Sequence, residues 1–96
     1  MRPRALADVA EIWARVGAEK PWAADSFTTK LDRQLELLSR LPELGERRPE
    51  AGQGMRSSFL GDHVVFYLAV AGGIEVVRVL HQSRDVEGQA ERAGGF

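Results

Sequence analysis

The sequence predicts a single α+β domain, a helical hairpin packed on one face of a small antiparallel sheet. Apolar residues recur every three or four positions as far as Leu41, and from Met55 onward they alternate at every second position. Between these regimes lies Pro42–Gly54, which holds two prolines, three glycines and five charged residues and reads as a loop. A chain of 96 residues buries roughly 60–65% of its unfolded surface, enough for one core. The domain is therefore expected to span 1–96, with its core at about 3–88 and a polar, Gly-rich tail at 89–96 expected to be mobile.

The first helix is expected over Ala7–Val16, where Val9, Ile12, Trp13 and Val16 fall on one face at i, i+3, i+4 and i+7. Asp8 and Glu11 stand near its start, where the helix dipole favours them, and Gly17 reads as its stop. Pro21 suits the first turn of a second helix, since its missing N–H has no partner there in any case. That helix runs to about Leu41, with Phe27, Leu31, Leu35, Leu38 and Leu41 as its apolar face and Lys30, Asp32, Arg33 and Glu36 in solvent. Pro42 ends it, and a short connection makes the two helices an antiparallel hairpin.

Arg56–Leu60 is a short strand, and Gly61-Asp62 a turn. His63–Val70 alternates Val64, Phe66, Leu68 and Val70 against Val65, Tyr67 and Ala69. Gly72-Gly73 supplies a tight hairpin turn. Ile74–His81 is apolar on both faces except at Glu75 and Arg78, so it is expected to lie centrally in the sheet. These three strands form an antiparallel meander, and the helical hairpin covers one face because neither layer can bury its apolar side alone.

Composition excludes several classes of function. There is no cysteine, hence no disulfide, thiolate nucleophile or zinc-thiolate site. The apolar run Val64–Ala71 is far shorter than a membrane span, and no basic start followed by an apolar run opens the chain, so a cytoplasmic protein without membrane contact is expected. Thirteen basic residues meet fourteen acidic ones, and Lys20 and Lys30 are the only lysines. From Met55 onward, Arg56, Arg78, Arg84 and Arg92 face Asp62, Glu75, Asp85, Glu87 and Glu91. That balance weighs against a surface holding nucleic acid through phosphates and in favour of a protein-binding module.

Several short stretches together carry a resemblance. Pro3-Arg4-Ala5 with Asp8 and Glu11-Ile12-Trp13 resembles the first-helix opening of ParE-type toxins of the RelE/ParE superfamily. Leu41-Pro42-Glu43-Leu44-Gly45 resembles their helix-to-loop junction, and Met55-Arg56-Ser57 with Tyr67 their first meander strands. The strongest match is Ile74-Glu75-Val76-Val77-Arg78-Val79-Leu80-His81, closed by Arg84-Asp85. The resemblance covers about residues 3 to 88. Such toxins carry a full strand before the Pro-Arg-Ala segment, where only Met1 and Arg2 stand here. Two readings stay open: a start further upstream, or a sheet without that strand and with an unpaired edge suited to strand addition.

The resemblance implies the toxin half of a bacterial type II toxin–antitoxin pair. A ParD-like antitoxin would neutralise it, and the free toxin would bind DNA gyrase and block replication without cofactors, catalytic residues or sequence-specific DNA contacts of its own. It further implies that toxicity depends on the segment carrying Arg78, His81, Arg84 and Asp85. The alternative within the superfamily is a RelE-like ribosome-dependent ribonuclease, with Arg56, Arg78 or Arg84 stabilising phosphate charge and Tyr67 or His81 moving protons. Against it stand structural readings: ion pairs of Arg56 or Arg84 with Asp85, and a packed Tyr67 with its hydroxyl satisfied. Trp13 and Trp22 read first as core. Trp22 lies off the main stripe of its helix, however, and an exposed aromatic beside Leu37 would anchor an antitoxin. His63 and His81 have no spacing that recommends a metal site, and Arg47-Arg48, among acidic neighbours, reads as solvated loop.

Overall fold

The computed structural model describes residues 1–83; Arg84, Asp85 and the expected tail at 89–96 lie outside the described residues. Helix α1 spans Pro3–Glu19 and α2 spans Pro21–Arg40, each with proline in its first turn. Four strands follow, β1 Glu46–Arg47, β2 Arg56–Leu60, β3 His63–Val70 and β4 Gly73–His81, paired antiparallel in sequence order. The expected three-stranded meander is thus β2–β3–β4, and a short fourth strand is added at its edge. The segment read as loop is more ordered than its composition implies. It holds 3-10 turns at Pro42–Leu44 and Pro49–Ala51, with β1 between them pairing Glu46 to Ser57 and Arg47 to Arg56.

Helix α1 is longer than its periodic core suggests. Gly17 does not stop it but lies inside it, where a Cβ would come within 3.3 Å of the Ala24 methyl, so it serves the close approach of α1 to α2. Ala5, Ile12 and Leu31 meet Val65, Val76 and Val79 of the sheet, flanked by Val9, Val16, Phe27 and Leu35. Trp13 does not join them. It is 49% exposed, on the solvent side of the stripe that its spacing implied.

The other face of the sheet has its own core, built from Val64, Phe66, Val77 and Leu80 with Ala51 and Met55 from the ordered segment. Arg48 lies over the Phe66 ring, 5.0 Å from its centre, and also donates to Ser57 Oγ at 3.2 Å. The solvated reading of Arg48 is therefore corrected: its stem and guanidinium help to close this second core.

Strand β4 is not central. Among the described residues it ends the sheet, and its apolar character on both faces reflects burial between two cores rather than two strand neighbours. A β-bulge accounts for the pattern. Arg78 is opposite Phe66 and Val76 opposite Tyr67, leaving Val77 without a partner of its own. Val76 and Val79 can then both face the helices, and Val77 and Leu80 both face away, although each pair is three residues apart.

Replacing Leu31 with Asp is expected to abolish cooperative folding. The residue is 2% exposed at the centre of the helix–sheet core, where an unpaired carboxylate costs several kcal/mol against a total stability of about 5–10. Leu38→Ala, at a fully buried site, should cost about 2–5 kcal/mol in urea denaturation. Unchanged midpoints would place the core elsewhere.

Candidate functional site

The outer edge of β4 is where helix and sheet meet through polar groups. Asp8, one turn into α1, accepts Arg78 Nε at 2.7 Å and Nη2 at 3.0 Å. The same carboxylate accepts the Val79 backbone N–H at 3.0 Å. Only 9% of the Arg78 side chain and 13% of that of Asp8 is exposed. The register puts Arg78 on the face opposite the helices, so its side chain rounds the sheet edge to reach α1. Further along, Arg2 is extended before α1, donates its N–H to Val76 O at 2.9 Å and pairs its side chain with Glu75. Two residues thus begin the edge that a full N-terminal strand would occupy.

Tyr67 and Arg56 hold the junction after α2. The Tyr67 hydroxyl donates to Pro42 O at 2.6 Å and accepts the Gly45 N–H at 2.8 Å. Arg56 Nη1 donates to Gly45 O at 2.7 Å and to Glu43 O at 3.3 Å. Burial pushes the Tyr67 hydroxyl above the ordinary tyrosine range, with Gly45 and Arg56 partly offsetting it, so it stays protonated as a donor. A Cβ on Gly45 would lie 2.7 Å from the Tyr67 ring carbons. Gly45 is therefore required for space and not for φ, which is an ordinary −72°. In the sequence it stands only as the end of the Leu41–Gly45 junction, with nothing local to announce the contact with Tyr67.

Of the residues named for chemistry, Arg56 and Tyr67 are cross-strand neighbours engaged by the same turn. Arg78 is held by Asp8 at the opposite edge of the sheet. His81 is half-buried at the end of β4, and its Nδ1 accepts the Ser83 N–H at 3.2 Å. The four are not brought together around one space. Arg84 and Asp85 lie outside the described residues, and with them the ion pairs that invoked Asp85. His63 and His81 do meet, with ring centres 5.4 Å apart, but among the described residues no third metal-ligating side chain joins them.

Trp22 is 69% exposed, with Lys20 Nζ 5.9 Å from its ring centre, and it borders a cleft of about 290 Å³ that Phe27, Lys30, Leu60 and His63 also line. Leu37 is also exposed. The two are not side by side, because fifteen residues of helix separate them by about 22 Å. Leu6 and Trp13 expose a further apolar stripe on α1, missed because Trp13 was assigned to the core; their spacing of seven was the available signal. Among the described residues no helix is long and apolar enough to cross a membrane.

Removing the Asp8 carboxylate while Arg78 remains should cost about 3–5 kcal/mol, since a buried guanidinium loses a bidentate carboxylate and the Val79 N–H loses its acceptor. Asp8→Ala should therefore melt far below the parent in a thermal scan, and Asp8→Ala/Arg78→Met should recover part of the loss. Equal melting of parent and Asp8→Ala would make the pair a surface contact. Gly45→Ala should cost about 1–3 kcal/mol through overpacking against Tyr67, read by the same scan.

Comparison with known proteins bears on this arrangement as a whole. The sequence profile described as ParE toxin of type II toxin-antitoxin system, parDE, matches residues 1–86. The chain is 34% identical over 83 residues to Toxin ParE1 of Caulobacter vibrioides, covering 83% of each chain. It is 33% identical over 92 residues to Toxin ParE1 of Mycobacterium tuberculosis, covering 91% of each. A helical hairpin on an antiparallel sheet, a family profile over nearly the whole described chain and relatives at this level agree: the chain belongs to the ParE toxin family of type II toxin–antitoxin systems.

Proposed function

We propose that this toxin arrests replication by binding DNA gyrase through the end of β4 and the residues that follow, and that a ParD-like antitoxin neutralises it by covering exposed apolar residues of the helical hairpin. The observation that carries the binding reading is the employment of the candidate reactive groups. Arg56 and Tyr67 secure the 42–45 turn and Arg78 secures α1, so three of the four described residues open to ribonuclease chemistry hold the fold instead. The near-neutral charge supports the same reading, because ribosome-bound messenger RNA would call for a basic surface.

In this proposal the contact surface consists of His81, Arg84 and Asp85. Arg78 acts as a positioning residue, fixing where β4 leaves the sheet. The antitoxin takes Trp22 and Leu37 as separate anchors on α2, with Leu6 and Trp13 available to the same cover. Large exposed aromatics of this kind dominate protein interfaces when desolvated.

Inducing the chain alone in a bacterium, with pulse-labelling of DNA and protein synthesis in parallel, tests the target. DNA synthesis should fall first, and Arg84→Ala should abolish the effect while leaving the melting temperature unchanged. Protein synthesis falling first would establish the ribonuclease alternative, and an undiminished Arg84→Ala would move the contact surface elsewhere.

A further inference from the structure

His63 occupies the joint where four elements converge. It opens β3 directly after the Gly61-Asp62 turn, and its ring packs edge-on against Phe27 of α2 at 5.2 Å and against His81 of β4 at 5.4 Å. Val16, near the end of α1, lines the same space. Its Nε2 is enclosed and has no hydrogen-bond partner among the described residues. Buried polar atoms in folded proteins are nearly always paired, so an orphan at a junction of elements calls for a reason.

Beside this slot lies an open cleft of about 510 Å³ lined by Arg15, Glu19, Asp62, His63, His81 and Ser83. The exit of β4 is tied across it: Gln82 N–H donates to Asp62 O at 2.7 Å, next in sequence to His63. His81 Nδ1 is held by Ser83. His63 and His81 are cross-strand partners immediately beside that bond, which continues the β3–β4 ladder to the first residue after β4.

We infer that His63 is an acid-sensitive joint: neutral, it fills the slot between α2 and β4, and protonated, it turns into the cleft toward Asp62 and Glu19, releasing the Gln82–Asp62 bond and the exit of β4. The physical cause is the enclosed Nε2. A proton there creates a cation with no acceptor among the described residues, whereas the open cleft offers the carboxylates of Asp62 and Glu19. The charged and titratable groups facing the ring set the balance. Arg15 from α1 and His81 from β4 oppose the charge; Asp62 from the turn favours it, as does Glu19 from α1, and Lys30 of α2 borders the ring's other side. Burial comes first among the causes that hold the His63 pKa below the usual histidine value, followed by His81 and Arg15.

The sign follows directly. A histidine whose folded pKa is depressed contributes stability that is complete above its unfolded value of about 6.5 and is lost as pH falls through the folded value. The inference concerns this chain's own conformational equilibrium and does not depend on gyrase being the target.

Proton NMR titration of the two histidine rings in the whole chain, with amide hydrogen exchange at Gln82 followed from pH 7.5 to 5, tests it. His63 should titrate below the ordinary histidine value, and the protection of the Gln82 amide, corrected for intrinsic exchange, should fall at least tenfold over the same range. His63→Phe should keep that protection constant. His63→Gln, which holds a neutral polar group, serves the same purpose if the phenylalanine does not fit. Titration of His63 at or above the ordinary value would overturn the inference. So would Gln82 protection that is flat in the parent, or that falls equally in a folded variant.

Discussion

One carboxylate at the end of the sheet organises the molecule. Asp8 takes up the bidentate guanidinium of Arg78 and the backbone N–H of Val79, and thereby closes part of an edge that no full strand covers among the described residues. An edge strand with apolar residues on both faces is otherwise an invitation to indiscriminate pairing. Here the helix that packs over one face also supplies the acceptor for the exposed edge, so α1 docks in one position only. Arg2, just ahead of the helix, adds the Val76 bond and an ion pair with Glu75. The β-bulge at Val77 is part of the same construction, since it places Val77 and Arg78 together on the far face, between Val76 and Val79, which point to the helices.

At the other side of the sheet, Tyr67 and Arg56 perform the corresponding task for the chain leaving α2. The tyrosine hydroxyl uses both a donor and an acceptor role on a single turn, and the ring leaves room for nothing larger than glycine at position 45. With that turn fixed, β1 pairs with β2, and Ala51, Met55 and Arg48 fold over the second face. Burial on both faces lets a short sheet carry two cores. It also explains why residues with catalytic potential in composition are occupied with holding backbone carbonyls and helices.

What remains exposed is correspondingly informative. Leu6, Trp13, Trp22 and Leu37 of the helical hairpin are exposed, as are Leu41 and Leu44 after it and Phe59 and Val70 on the strands. If the antitoxin covers those of the hairpin as proposed, side chains spread along two helices suit an elongated partner better than a single compact pocket would.

The sequence by itself determined the class of the fold, the hairpin, the three main strands and the family, because each rests on local information: periods of 3.6 and 2, prolines at helix starts and short words at the joints. Leu31, Leu38, Val65 and Phe66 were legible as core for the same reason. Tertiary structure decided what period cannot express. Strand β4 is apolar on both faces because a core lies on each, and that pattern does not distinguish a central strand from one at the end of the described sheet; a bulge further shifts its alternation by one residue. Trp13 shares the helical spacing of Val9, Ile12 and Val16 but is 49% exposed and does not join them against the sheet, because spacing does not say how much of a helix face the neighbouring layer covers. The partners of Arg78, Tyr67 and Arg56 lie 70, 25 and 11 residues away in the chain, and no local pattern announces a contact at such range. Whether a polar side chain serves chemistry or architecture depends on which backbone groups the fold brings within hydrogen-bonding distance, and only the folded chain fixes that.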